Sequence, residues 1–199
     1  MEYDLNNYYL VRHGQSEYNV EGLYQGWAAN NPLSSLGRIQ VHELAKKIKE
    51  QVSIHHIFAS DLQRTRETAD IIGNYIHLDV NLTPQLRDFR ISRLFQGLPI
   101  QQMDQDLLFK EWLVSYKQDL EYSLPDGESI NQLRSRIKAF ASTLNYAHSG
   151  QNILIVSHSR VVLELIQLWS GIEFGSSEID YATLYALTYA NHRYELKHD

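Results

Sequence analysis

The stretch "NNYYLVRHGQSEYN", residues 6–19, runs through the strand-forming side chains Tyr8 to Val11 and then sets Arg12 and His13 side by side ahead of Gly14. Aromatic and β-branched residues favour an extended backbone, and glycine ends it. A buried strand is predicted over 8–12, with a cation and an imidazole delivered to its carboxyl end. An Arg-His-Gly triplet alone is a weak signal, so the rest of the chain has to say what it serves.

Strands and helices alternate from there. Val41, Leu44, Ala45 and Ile48 share one face of a helix over 36–51, and "IHHIFAS" (54–60) reads as a second strand. Asp61 is placed to cap a helix whose face is Leu62, Thr65, Ala69, Ile72 and Ile76, and "HLDVNL" (77–82) reads as a short strand. A less regular helical insertion is expected over 100–122. Ser129 is placed to cap a helix bearing Ile130, Leu133, Ile137, Phe140 and Leu144. "NILIVS" (152–157) is the clearest central strand, followed by a helix with Val162, Leu165, Ile166 and Trp169, and the tail reads as a hairpin with Ala190-Asn191 near its turn.

The alternation predicts one α/β domain over 1–199, a mostly parallel sheet with helices on both faces. In such sheets ligands sit beyond the carboxyl ends of the strands. Arg12-His13, the 60–64 segment with Arg64, and Ser157-His158 all leave those ends, so two histidines and two arginines are expected at one mouth.

Composition narrows the ligand. With 18 Lys and Arg against 24 Asp and Glu the net charge is −6, so the surface as a whole repels nucleic acid and anionic membranes. A small anion can still be held by a local cationic cluster. The chain has no cysteine, which excludes thiolate catalysis, disulfides and cysteine zinc sites. His55 and His56 are adjacent on a strand and point to opposite faces, which argues against a shared metal. No signal peptide and no membrane-length apolar run is found, and a cytoplasmic location is expected.

A phosphate monoester fits the cluster. Arginine offers a planar fork to phosphate oxygens, a neutral histidine can attack phosphorus, and a second, protonated histidine can stabilise the transition state. No metal or cofactor is required.

"LVRHGQSEYN" resembles the signature of the histidine phosphatase superfamily, the phosphoglycerate mutase-like family. "YQGWAANNPLSSLGRIQ", "FASDLQRTRETADII", "LPDGESINQLRSRI" and "ILIVSHSRVV" are similar to its later motifs, in the same order. The resemblance implies a phosphoglycerate mutase-like α/β fold with a helical lid at roughly 90–125. It implies His13 as nucleophile and Arg12, Arg64 and His158 as the rest of the phosphate pocket. Asn19 follows as a further phosphate contact, with Ser16, Gln25 and Gly26 in the pocket wall. Ser159-Arg160 departs from the glycine pair common after the second histidine, and Ser159 is expected as a further substrate-binding position.

The general acid departs from the family pattern. In "QLRDFRISRLFQGLP" Asp88 stands where the family carries glutamate, the expected glycine is absent, and the spacing to Gly97 is about one residue longer. Aspartate is one methylene shorter, so the loop must move inward for Asp88 to donate a proton. Glu17 reads as solvated and Glu128 as orienting a loop or helix start. Arg160 either adds charge to the pocket or points along its helix.

The expected activity is phosphomonoester hydrolysis through a phosphohistidine on a small phosphorylated substrate, with a phosphoprotein left open. The alternatives are mutase-type phosphoryl transfer and a non-catalytic module that binds a phosphorylated ligand. Residues 98–125 hold Lys110 and Lys117 but no arginine pair, which disfavours the mutase. The sequence leaves oligomeric state open.

Overall fold

The computed structural model describes residues 6–148, 150–172, 179–190 and 193–198. Strand β1 (Asn7–Arg12) leads to a short helix α1 (Glu17–Glu21) and a long one, α2 (Ser35–Gln51). Then come β2 (His56–Ser60), α3 (Gln63–Ile76) and β3 (Val80–Thr83). An excursion carries α4 (Ile100–Met103) and α5 (Leu107–Gln118), and α6 (Ile130–Ala147), β4 (Asn152–Ser157) and α7 (Ser159–Ser170) follow. The hairpin β5 (Leu184–Ala190) and β6 (Arg193–His198) ends the described chain.

The strands form a six-stranded sheet in the order β3-β2-β4-β1-β5-β6. β1, β2, β3 and β4 run parallel, and the β5–β6 hairpin adds two antiparallel strands at one edge. Ala190 pairs with Arg193, while Asn191, expected at the turn, lies outside the described residues.

Successive strand side chains point to opposite faces, which explains the core. On β4, Ile153 and Ile155 pack with Leu133, Ile137 and Phe140 of α6 and Val162, Leu165 and Ile166 of α7. Leu154 and Val156 pack instead with Val41, Leu44 and Ile48 of α2 and Ala69 and Ile72 of α3. A strand covered on both sides has no polar face to show, hence the unbroken "ILIV". Each such fully buried aliphatic side chain contributes about 1.5–3 kcal/mol. The excursion has a small core of its own, built on Phe95, Met103, Phe109, Trp112 and Leu124.

β2 begins at His56 rather than at 54, and the start of α3 and the start of β3 also differ from the sequence expectation. Asp61 does not cap α3: the N-cap is Leu62, without a side-chain bond, and Asp61 forms a two-pronged ion pair with Arg87 at 2.7 and 2.5 Å. Arginine's fork outcompetes a single backbone N–H for that carboxylate. His77 does not begin a strand. It ends α3 in the left-handed conformation (φ 60°), and β3 starts at Val80. The Ser129 cap forms as expected, as a capping box with Gln132.

Gly37 in α2 holds the β1–α1 turn against that helix, since a Cβ there would run into the carbonyl oxygen of Gln15. Gly to Ala inside a helix usually stabilises by about 1 kcal/mol. Here the sign should reverse, with Gly37→Ala destabilising by about 1–3 kcal/mol in urea unfolding. A raised unfolding midpoint would show that the turn yields instead.

Candidate active site

β1 and β4 are neighbours, and their last residues, Arg12 and Ser157, are in register. His13 and His158 therefore leave the sheet side by side, their ring centroids 5.3 Å apart. α3 brings Arg64 beneath them in its first turn, fully buried. A cleft of about 240 Å³ opens above, lined by Arg12, His13, Asn19, Gln25, Gly26, Asp88 and Ser159 together with Leu23, Tyr24 and Ile100.

The hydrogen bonds of His13 fix its tautomer. Its Nδ1 lies 2.7 Å from the Gly14 carbonyl oxygen, which can only accept, so Nδ1 carries the proton. Arg64 Nε–H donates to His13 Nε2 at 3.3 Å, so Nε2 bears the lone pair. Burial, then the charges of Arg64 and Arg12, push the His13 pKa well below the usual histidine range. His13 is thus a neutral imidazole with an unprotonated Nε2 at the cleft.

Arg64 is fixed by its other bonds, to the Gly26 carbonyl at 3.0 Å and the Ala28 carbonyl at 3.4 Å. Burial lowers its pKa to about 10, against the opposing pull of Asp88, and it stays charged at neutral pH. Arg12 donates to the Ile179 carbonyl at 2.7 Å and stacks on Tyr181 at 3.8 Å. Its Nε–H is buried without an acceptor.

His158 is also fully buried, with Nε2 3.1 Å from Ser60 Oγ. Burial, then Arg64, drive its pKa well below the usual value. Its Nδ1 has no hydrogen-bond partner and faces Asp88 Oδ2 at 3.8 Å.

Asp88 does reach the cleft. Its Oδ2 stands 3.6 Å from Arg64 Nη2, and burial raises its pKa while Arg64 partly offsets the rise. The loop that carries it is pinned from several sides. Trp27 Nε1–H and Arg136 Nη2 both donate to the Asp88 carbonyl, at 2.6 and 3.0 Å. Arg136 also holds the Gln85 carbonyl at 2.6 Å and is itself clamped by Glu128. Ser157 Oγ–H holds the Leu86 carbonyl, and Asp61 holds Arg87. Tyr24 completes the brace, its hydroxyl accepting from the Ile91 N–H at 2.8 Å.

The other expected residues divide. Asn19, Gln25, Gly26 and Ser159 line the cleft. Ser16 does not: it is fully buried behind the wall, capping α1 and touching Asn19 Oδ1 and Gln25 Oε1 at 2.8 and 3.2 Å. A short side chain in a capping box is turned back on its own helix. Arg160 points along α7 to Glu164 at 2.8 Å and does not line the cleft. Glu128 orients Arg136, as a residue at a helix start can.

Sequence reasoning missed Trp27, Arg136, Tyr24 and Tyr181. "QLRSRI" carries Arg136 where helical periodicity demands only a polar face, so no local pattern marks it. Among the described residues no group of three His, Cys, Asp or Glu is placed to hold a metal ion.

The profile of the histidine phosphatase superfamily (branch 1) matches residues 8–198. The protein named "Probable phosphoglycerate mutase GpmB" of Enterobacter sp. (strain 638) is 34% identical over 150 residues, 75% of this chain and 68% of that one. Its Escherichia coli (strain K12 / DH10B) namesake is 33% identical over the same shares. A mycobacterial glucosyl-3-phosphoglycerate phosphatase solved with VO3 superimposes with a TM-score of 0.81 over 97% of each chain, at 23% identity, a likeness of fold. The α-ribazole phosphatase of Shigella flexneri reaches a TM-score of 0.78 at 27% identity, over 96% of this chain and 95% of that one. With paired histidines and buried Arg64 at one sheet edge and the profile matched almost end to end, the chain belongs to the histidine phosphatase superfamily.

Proposed function

We propose that this chain is a cytoplasmic, metal-independent phosphatase that hydrolyses small phosphomonoesters through a phosphohistidine on His13. The observation that carries the reading is the tautomer of His13, its Nδ1 proton tied to Gly14 and its Nε2 lone pair held at the cleft. The 3.3 Å bond from Arg64 is long, and it is exchanged when Arg64 turns its N–H groups to phosphate oxygens. Nε2 then forms the N–P bond as the P–O bond to the leaving group breaks.

Arg12, Arg64 and His158 supply the charge that balances the equatorial oxygens. The pKa of His158 is depressed in the protein alone, and an arriving dianion favours its protonated form, with Nδ1–H directed into the cleft. The Oδ1 of Asn19 is engaged by the α1 cap, which leaves its amide NH₂ for the substrate. Asp88, its pKa raised by burial, gives its proton to the departing oxygen. Water next attacks phosphorus and passes a proton to the Asp88 carboxylate as the N–P bond breaks, so phosphate leaves with His13 neutral and Asp88 protonated again. The excursion over roughly 90–125 acts as a lid, contributing Ile100 to the cleft.

Mutase-type transfer is the second reading, favoured by the name of the relatives. It needs cations that grip a substrate carboxylate, yet Lys110 and Lys117 are both exposed and neither lines the cleft. A binding-only role would leave the pinned Asp88 loop without a purpose. The test is p-nitrophenyl phosphate in EDTA, with and without vanadate. Turnover that vanadate abolishes is expected. A folded protein without turnover from pH 5 to 8 would end the phosphatase reading, and 3-phosphoglycerate converted without phosphate release would replace it with the mutase.

A further inference from the structure

A second cleft, of about 350 Å³, is lined by Trp27, Ala29, Arg87, Arg90, Arg93 and Gln96. In a chain of net charge −6, three guanidiniums with no carboxylate among the lining residues stand out. Asp61 compensates Arg87 from outside the cleft. Neither Arg90 nor Arg93 pairs with a carboxylate among the described residues. Arg90 is not a freely solvated side chain either. Its guanidinium stacks on the Trp27 ring at 4.1 Å, and its Nε–H is buried with no acceptor. A buried donor without a partner costs free energy, and two uncompensated cations gathered at one cleft add repulsion. An anion in the cleft would relieve both.

We propose that this cleft is a second anion site, which takes a phosphate or carboxylate group between Arg90 and Arg93 with the Trp27 ring as its apolar wall. Arginine forks match either oxyanion, and stacking on an aromatic ring keeps a fork oriented. The site and the catalytic cleft are lined from two common segments of chain. Gly26 lines one and Trp27 the other; Asp88 lines one and Arg87 the other. The anion is either a distal charged group of the substrate or a separate ion. The first source rests on the phosphatase reading; the site itself does not.

Binding is read from the indole N–H resonance of Trp27, assigned by its loss in Trp27→Phe, during titration with inorganic pyrophosphate at fixed ionic strength. Wild type is expected to show a saturable shift. R90A/R93A should weaken the apparent affinity by about tenfold or more, with backbone resonances outside 87–96 unchanged. If that double variant fails to fold, Arg93→Gln, at an exposed position, takes its place with a smaller loss in the same direction. No saturable shift in wild type, or folded variants that titrate as wild type does, would overturn the proposal.

Kinetics separate the sources. R90A/R93A should keep kcat/KM for p-nitrophenyl phosphate within about twofold, the scale of a change that removes no catalytic group. A selective loss on a phenyl phosphate bearing a distal carboxylate identifies the anion as the substrate's own. A kcat/KM unchanged from wild type on both esters, with the pyrophosphate shift present in wild type, identifies a separate ion. Absence of turnover in wild type would count against the phosphatase reading and leave the titration in force.

Discussion

His13→Ala is expected to lower kcat/KM for p-nitrophenyl phosphate on the order of 10⁴-fold or more, the scale on which loss of a covalent nucleophile acts. This leaving group departs without help, so the loss reports the nucleophile and not the acid. The fold should survive. Among the described residues the His13 side chain bonds only to its neighbour's carbonyl and to Arg64, its backbone N–H bond to the Ser157 carbonyl survives the change, and Arg64 keeps its bonds to Gly26 and Ala28. The unpaired Arg64 Nε–H would cost about 1–3 kcal/mol of stability. Wild type quenched during turnover should carry acid-labile, base-stable phosphate on protein, and the variant none. Turnover in the variant within tenfold of wild type would exclude His13 as the nucleophile.

Asp88→Asn is expected to cost about 10²–10⁴-fold on alkyl phosphates and much less on p-nitrophenyl phosphate, because only a poor leaving group needs the proton. The pH profile gives an independent reading. A general acid must be protonated, and burial raises the Asp88 pKa against the pull of Arg64. The rate on alkyl phosphates should therefore fall as pH rises through that elevated pKa, and the fall should vanish in Asp88→Asn. His13, its pKa driven well below the usual histidine range by burial and by the charges of Arg64 and Arg12, is neutral at neutral pH and does not contribute this alkaline limb. Arg136→Met, which releases the Asp88 and Gln85 carbonyls, should move the alkyl phosphate rate the same way by a smaller factor. Equal losses across leaving groups, with the alkaline limb unchanged, would remove Asp88 from the role.

The bidentate pairs Asp61–Arg87 and Glu128–Arg136 show how the short aspartate reaches the cleft. They tie the 85–88 loop to the start of α3 and to α6, while Trp27 clamps the Asp88 carbonyl. The position of Asp88 at the cleft is thus held by residues distant in sequence.

The sequence by itself determined the strands β1, β2 and β4, the faces of α2, α3, α6 and α7, and the meeting of Arg12, His13, Arg64 and His158 at one edge of the sheet. The reason is local: side chains alternate with period 2 on strands and 3.6 on helices, so burial is written into neighbouring residues. Parallel strands then bring their carboxyl ends together whatever the loops do. Only the tertiary structure decided that Ser16 lies behind the cleft wall, that Asp61 serves Arg87 rather than α3, that Arg160 turns to Glu164, and that Trp27 and Arg136 hold Asp88. Each of those polar side chains has several acceptors or donors in reach, and which one wins depends on where remote segments pack, information that no periodicity carries.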